Sequence, residues 1–233
     1  MQSLLMHISL TLIVLATGAE AQVKIVASTS DLAYFARQIG GEHVEVDAIA
    51  SPKADIHFVE VRPSYMLKVN KADVILKVGM ELDRWMDRII DGSRNGSAKI
   101  IDCSAYIQPL EVPPADADAR QGDLHRDGNP HYWLGPQNLD AITRAIAEGL
   151  VAVDPTHAAD YESNRQRFLG AVETGLTALR PKIDALRGAD VVFSHNSWPY
   201  FNTFVGLEAS GFVESFPGVS PSPSHIKNLI GLL

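Results

Sequence analysis

The chain has 233 residues, 46% of them hydrophobic and 21% charged, an ordinary globular composition with room for one large domain or two lobes. A formal net charge of −8 argues against nucleic acid and against an anionic membrane surface as partners. Cys103 is the only cysteine, which excludes an intramolecular disulfide and a cysteine-based zinc cluster; it reads as a small buried residue just after a strand.

Residues 1–21 stand apart. Leu10 to Ala16 is an apolar run too short to span a bilayer, and Ala19-Glu20-Ala21 has the small-x-small form of a secretory cleavage site. A cleaved signal peptide over 1–21 is expected, with a mature chain from Gln22 that does not insert in a membrane. No cysteine lies at the cleavage point, so a soluble periplasmic protein without a lipid anchor is expected.

Val23 to Ala27 is rich in β-branched residues and reads as a buried strand. Ser28 to Asp31 offers helix caps, and Leu32 to Ile39 reads as a helix stopped by Gly40-Gly41. Strands are expected at Val44–Ala50, Val74–Val78 and Lys99–Asp102, with helices at Ser64–Lys71 and Leu82–Ile90 between them. Such alternation implies βαβ units and a mainly parallel sheet. Cys103 to Pro136 has no periodicity; a loop of that length is functional or disordered. Leu139 to Val153 is helical by spacing. Asp154-Pro155 then starts a long helical pattern with apolar positions at Tyr161, Phe168, Val172, Leu176, Leu179, Ile183 and Leu186. About 30 residues of helix extend roughly 45 Å, enough to run across two lobes. Pro181 should kink or break it. A strand at Val191–Phe193, a helix at Pro199–Val205, a strand near Phe212-Val213 and a helix start at Ile226–Leu233 complete the chain. Two strands are too few to close a second sheet, so the natural C-terminal part is expected to lie beyond Leu233.

Three histidines occupy comparable settings. Asp55-Ile56-His57 follows one strand-like run, and Phe193-Ser194-His195-Asn196 another. In Asn129-Pro130-His131-Tyr132-Trp133-Leu134 the proline stiffens the backbone that presents His131. Their wide separation rules out a local zinc finger and asks for a folded scaffold first. Imidazole suits zinc, copper, nickel and iron, and three with one further group make a tetrahedral zinc site. Strand-end loops are where open α/β sheets bind ligands.

The segments Asp55-Ile56-His57-Phe58-Val59-Glu60-Val61-Arg62-Pro63-Ser64, Asn129 to Leu134 and Ser194-His195-Asn196-Ser197-Trp198-Pro199-Tyr200-Phe201 resemble, in order and spacing, the three metal motifs of the zinc and manganese ABC-transporter solute-binding proteins. The resemblance runs from Val23 to the end of the chain. It implies two Rossmann-like α/β lobes joined by one long helix, with metal held in the cleft and handed to an ABC permease. On that basis the expected organisation is a signal peptide over 1–21 and an N-terminal lobe over 22–153. A linking helix over 154–187 and the start of an incomplete C-terminal lobe over 188–233 follow. The implied metal ligands are His57, His131 and His195, with a fourth, carboxylate ligand beyond Leu233. Gly135 stands where the family usually has an acidic residue. Glu60 and His125 are candidate accessory ligands, and Trp133 and Trp198 are expected to wall the site. His43, His157 and His225 read as surface residues.

The resulting expectation is a monomeric periplasmic protein that carries Zn2+ as cargo, with no catalytic step. Manganese or ferrous iron is the alternative; such harder cations favour more oxygen ligands, and three histidines tilt the reading toward zinc. A zinc hydrolase also uses three histidines and an open position, but no His-Glu-x-x-His helix or comparable base is present.

Overall fold

The computed structural model describes residues 21–53, 55–114, 116, 125–214 and 219–232. The expected signal peptide falls, but for Ala21, outside these residues, as do residues 115 and 117–124 of the loop expected to be functional or disordered. No helix among the described residues is long and apolar enough to cross a membrane.

Strands β1 (Val23–Ala27), β2 (Val44–Ala48), β3 (Val74–Lys77) and β4 (Lys99–Asp102) form a parallel sheet in the order β2-β1-β3-β4. Alternation along the strands divides the core. Ile25, Ala27, Val74 and Leu76 face one cluster, with helices α1 (Ser30–Gly40), α4 (Leu139–Val153) and α5 (Ala158–Ala185). Val26 and Ile75 face the other, with α2 (Pro63–Asn70) and α3 (Arg84–Ser93). The result is a three-layer Rossmann-like unit whose strand order reverses between β1 and β3, the place where such sheets open a crevice at their carboxyl ends. Cys103 is fully buried just after β4, as expected. Gly149 lets α4 approach β4, because a Cβ there would overlap Ile101.

A second parallel sheet pairs β5 (Asp190–Phe193) with β6 (Glu208–Phe212), followed by α7 (Pro223–Ile230). Helix α6 (Pro199–Val205) lies between its strands in sequence. β6 begins earlier than its apolar residues suggest. Its register against β5 shifts between Val191 and Val192, and Ser210 bonds the Asp190 carboxylate.

α5 is one continuous helix of 28 residues that includes Pro181, where a kink or break was expected. The carbonyl deprived of its partner is that of Thr177, in an exposed stretch where solvent can satisfy it. The helix does not bury one face throughout. Its first half packs on α1 and α4, with Tyr161 buried and Phe168 against Phe35, and Arg165 forms ion pairs to Asp140 and Glu162. Leu179 and Leu186, expected on the apolar face, are each 47% exposed.

The turn after β3 carries three successive residues with positive φ, Gly79, Met80 and Glu81. Asp83 pins it by accepting from the backbone N–H of Val78 at 2.6 Å and Gly79 at 3.2 Å. Asp83 is 1% exposed, and burial pushes its carboxyl above the usual range despite hydrogen bonds from Ser28 and Val78. Asp83→Ala removes a costly buried charge but strands two buried N–H groups. The net loss is expected to be about 1–3 kcal/mol, a fall in Tm of roughly 3–10 °C by calorimetry. An unchanged Tm would show that the carboxylate does not hold the turn.

Candidate metal centre

The histidine rings at 57, 131 and 195 converge. Ring centroids lie 5.2 Å apart for His57 and His131, and 6.0 Å for each of the other two pairs. His57 comes from the loop after β2, His131 from the segment before α4, and His195 from the end of β5. The loop of His57 is anchored by Trp85, whose indole N–H donates to the Ile56 carbonyl at 2.9 Å. Gly128 makes the turn into His131, with φ of 102° and no room for a Cβ, which would sit 2.8 Å from the Leu110 carbonyl oxygen. His131 is 5% exposed, and so is the side chain of His57.

Two of the rings are oriented by the same local device. The Asp55 carboxylate accepts the His57 backbone N–H at 2.9 Å and lies 2.8 Å from ring Nδ1. Asn129 Oδ1 accepts the His131 backbone N–H at 3.1 Å and lies 3.0 Å from its Nδ1. Each oxygen only accepts, so each Nδ1 carries the proton and each Nε2 presents its lone pair. This is the arrangement a metal-ligating histidine needs. His195 differs: its Nε2 lies 2.7 Å from the Ser197 hydroxyl, which can donate or accept and so fixes no tautomer.

A fourth imidazole joins the group. The His125 ring lies 5.9 Å from that of His57. It is placed through its neighbour, since Arg126 N–H donates to Glu81 Oε2 at 2.8 Å, on the turn that Asp83 pins. Glu60 instead turns to Arg62, which donates to it at 2.9 and 2.7 Å. Trp133 stacks obliquely 5.4 Å from His131, while Trp198 packs on Phe193 and Phe201. Among the described residues, no three His, Cys, Asp or Glu side chains are yet close enough to form a finished coordination set.

The reading of His43 and His157 as surface residues needs correction. Their rings stack at 3.8 Å, and each faces a carboxylate, Asp160 at 3.1 Å and Asp154 at 2.7 Å. The pair joins the turn before β2 to the start of α5. His225 faces the Phe212 carbonyl at 2.8 Å. The supporting groups Asp55, Asn129 and Ser197 were not singled out from sequence, although an Asx residue stands two positions before a histidine three times, at Asp55, Asp123 and Asn129.

The family model of the periplasmic zinc-uptake complex component A, ZnuA, matches residues 25–233. The iron-binding protein YfeA of Yersinia pestis is 28% identical over 163 residues, 70% of this chain and 50% of YfeA. The iron ABC transporter substrate-binding lipoprotein MtsA of Streptococcus pyogenes serotype M1 is 24% identical over 220 residues, 92% of this chain and 69% of MtsA. A crystal structure of ZnuA matches with a TM-score of 0.77 at 26% identity, over 90% of this chain and 77% of that one. The chain therefore spans half the length of YfeA and about two thirds of MtsA. The family is one of solute-binding components of metal uptake, not of enzymes. With residues 25–233 matched, the chain belongs to the periplasmic zinc-uptake complex component A family.

Proposed function

We propose that this chain captures zinc in the periplasm and delivers it to the permease of an ABC importer, with His57, His131 and His195 as ligands. The observation that carries this reading is the convergence of three rings from three separate loops at 5.2 to 6.0 Å. A tetrahedral ion with Zn–N near 2.1 Å would set ring centroids roughly 5 Å apart. One pair already meets that spacing, and the two pairs made with His195 need a contraction of under about 1 Å. An imidazole-rich set favours zinc over manganese and ferrous iron, which prefer more oxygen ligands. The names of YfeA and MtsA favour iron as the second reading.

Metal content of protein purified from the periplasm without an affinity tag tests the choice. Stoichiometric zinc supports the reading, and iron or manganese in its place overturns it. For the fourth position we favour His125 over Glu60, because Arg62 already holds the Glu60 carboxylate. His125→Ala is expected to weaken zinc binding by at least about tenfold in a competition titration. Binding equal to the parent would remove His125 from the ligand set.

A further inference from the structure

We propose that Glu111 is a positioning residue that clasps the His195 loop to the His131 loop and so slows the release of metal. The proposal rests on the metal-binding reading above and adds a residue that carries none of the ligand chemistry itself.

One carboxylate oxygen of Glu111 accepts two hydrogen bonds from two different loops. Asn129 Nδ2 donates to it at 3.0 Å and Asn196 Nδ2 at 2.8 Å. Asn196 is the neighbour of His195, and Asn129 is the residue that orients the His131 ring. The second Nδ2 hydrogen of Asn129 goes to the Asn196 carbonyl at 2.9 Å, so the two asparagines also meet directly. Glu111 is held where it stands. The backbone of its neighbour Leu110 accepts from Asn129 N–H at 2.8 Å and donates to the Tyr200 hydroxyl at 3.1 Å, and that hydroxyl donates to the Asn129 carbonyl at 2.8 Å. Glu111 itself has φ of 55°, a left-handed conformation that a non-glycine residue adopts only under constraint.

The consequence concerns the ring that is least fixed. His57 and His131 are each oriented by an acceptor two residues earlier on their own loop. Among the described residues the His195 ring hydrogen-bonds the Ser197 hydroxyl, and its loop leaves the β5–β6 pair. The Glu111 clasp supplies a further restraint from outside that loop. A carboxylate shared by two amide N–H groups makes charge-assisted bonds, about twice as strong as neutral ones. Outer partners of metal ligands typically change metal affinity by about 10–100-fold when removed.

The test is zinc release by stopped-flow with a chromophoric chelator, alongside equilibrium titration, on the parent, Glu111→Ala, Glu111→Gln and Asn196→Ala. Glu111→Ala is expected to release zinc about tenfold faster with little change in capture rate. Glu111→Gln, whose carbonyl oxygen can still accept both bonds, is expected to recover much of that loss. Glu111→Ala and Asn196→Ala combined are expected to cost no more than the worse single change, because both cut one link. Release at the parent rate in a folded Glu111→Ala protein overturns the clasp, as does additivity in the double variant. If Glu111→Ala does not fold, Asn196→Ala severs the same link from the other side and must show the faster release. The underlying reading is judged separately: if His131→Ala binds zinc like the parent, the site itself is wrong, whatever Glu111 does.

Discussion

Replacing His131 by alanine is expected to weaken zinc binding by more than about a hundredfold, since loss of an outer partner alone costs about 10–100-fold. His131 is the most enclosed of the three proposed ligands and stands 5.2 and 6.0 Å from the other two rings. Its removal leaves His57 and His195 facing each other across 6.0 Å and takes away the closest pair. His57→Ala and His195→Ala are each expected to cost at least about tenfold by the same argument. Calorimetric titration with zinc measures all three. A variant that binds like the parent would remove that residue from the ligand set. Trp133 packs beside His131, so circular dichroism and melting of the apo variant should accompany the titration to separate lost ligation from lost packing.

Zinc affinity is also expected to collapse below about pH 6. A ligating imidazole must be neutral, and free imidazole takes up its proton near ~6.5, so ion and protons compete for every ring. Binding releases protons on the acid side, and the apparent constant therefore falls as pH falls. With three rings the limiting slope is about a thousandfold per pH unit. Competition titrations from about pH 5 to 8 in two buffers of different ionisation enthalpy measure both the slope and the protons released. A flat profile would be incompatible with three imidazole ligands, and a slope near tenfold per unit would leave only one.

Much of this was legible in the sequence because two periodicities and three motifs are strong. Residues Val23–Ala27, Lys99–Asp102, Leu139–Val153 and Pro199–Val205 form the expected elements with the expected limits. The failures have physical causes. β6 runs over Glu208, Ala209, Ser210 and Gly211, residues with little strand preference, and its pairing with β5 overrides them. The apolar spacing of α5 suggests one buried face, yet only its first half meets α1 and α4. Spacing reports which residues align on a helix, not what lies opposite. The three histidines stood out by motif, but their restraints did not. Asp55 and Asn129 left a repeated local signal, whereas Glu111 acts on partners 18 and 85 residues away and left none.

The repeated Asx turn also separates two kinetic tasks. Asp55 and Asn129 aim their histidines using bonds within three residues of chain, so this half of the cradle is ready before any cation arrives. On the proposed reading, an incoming ion meets a preformed bidentate edge, and the cost of ordering falls on the His195 side alone. Arrival rate then belongs to the first sheet and dwell time to the second. A permease that grips the β5–β6 side could shorten the dwell time without disturbing the landing edge. Evolution could retune retention for a different cell by changing residues around Ser197 and Asn196, while leaving the speed of capture where it was.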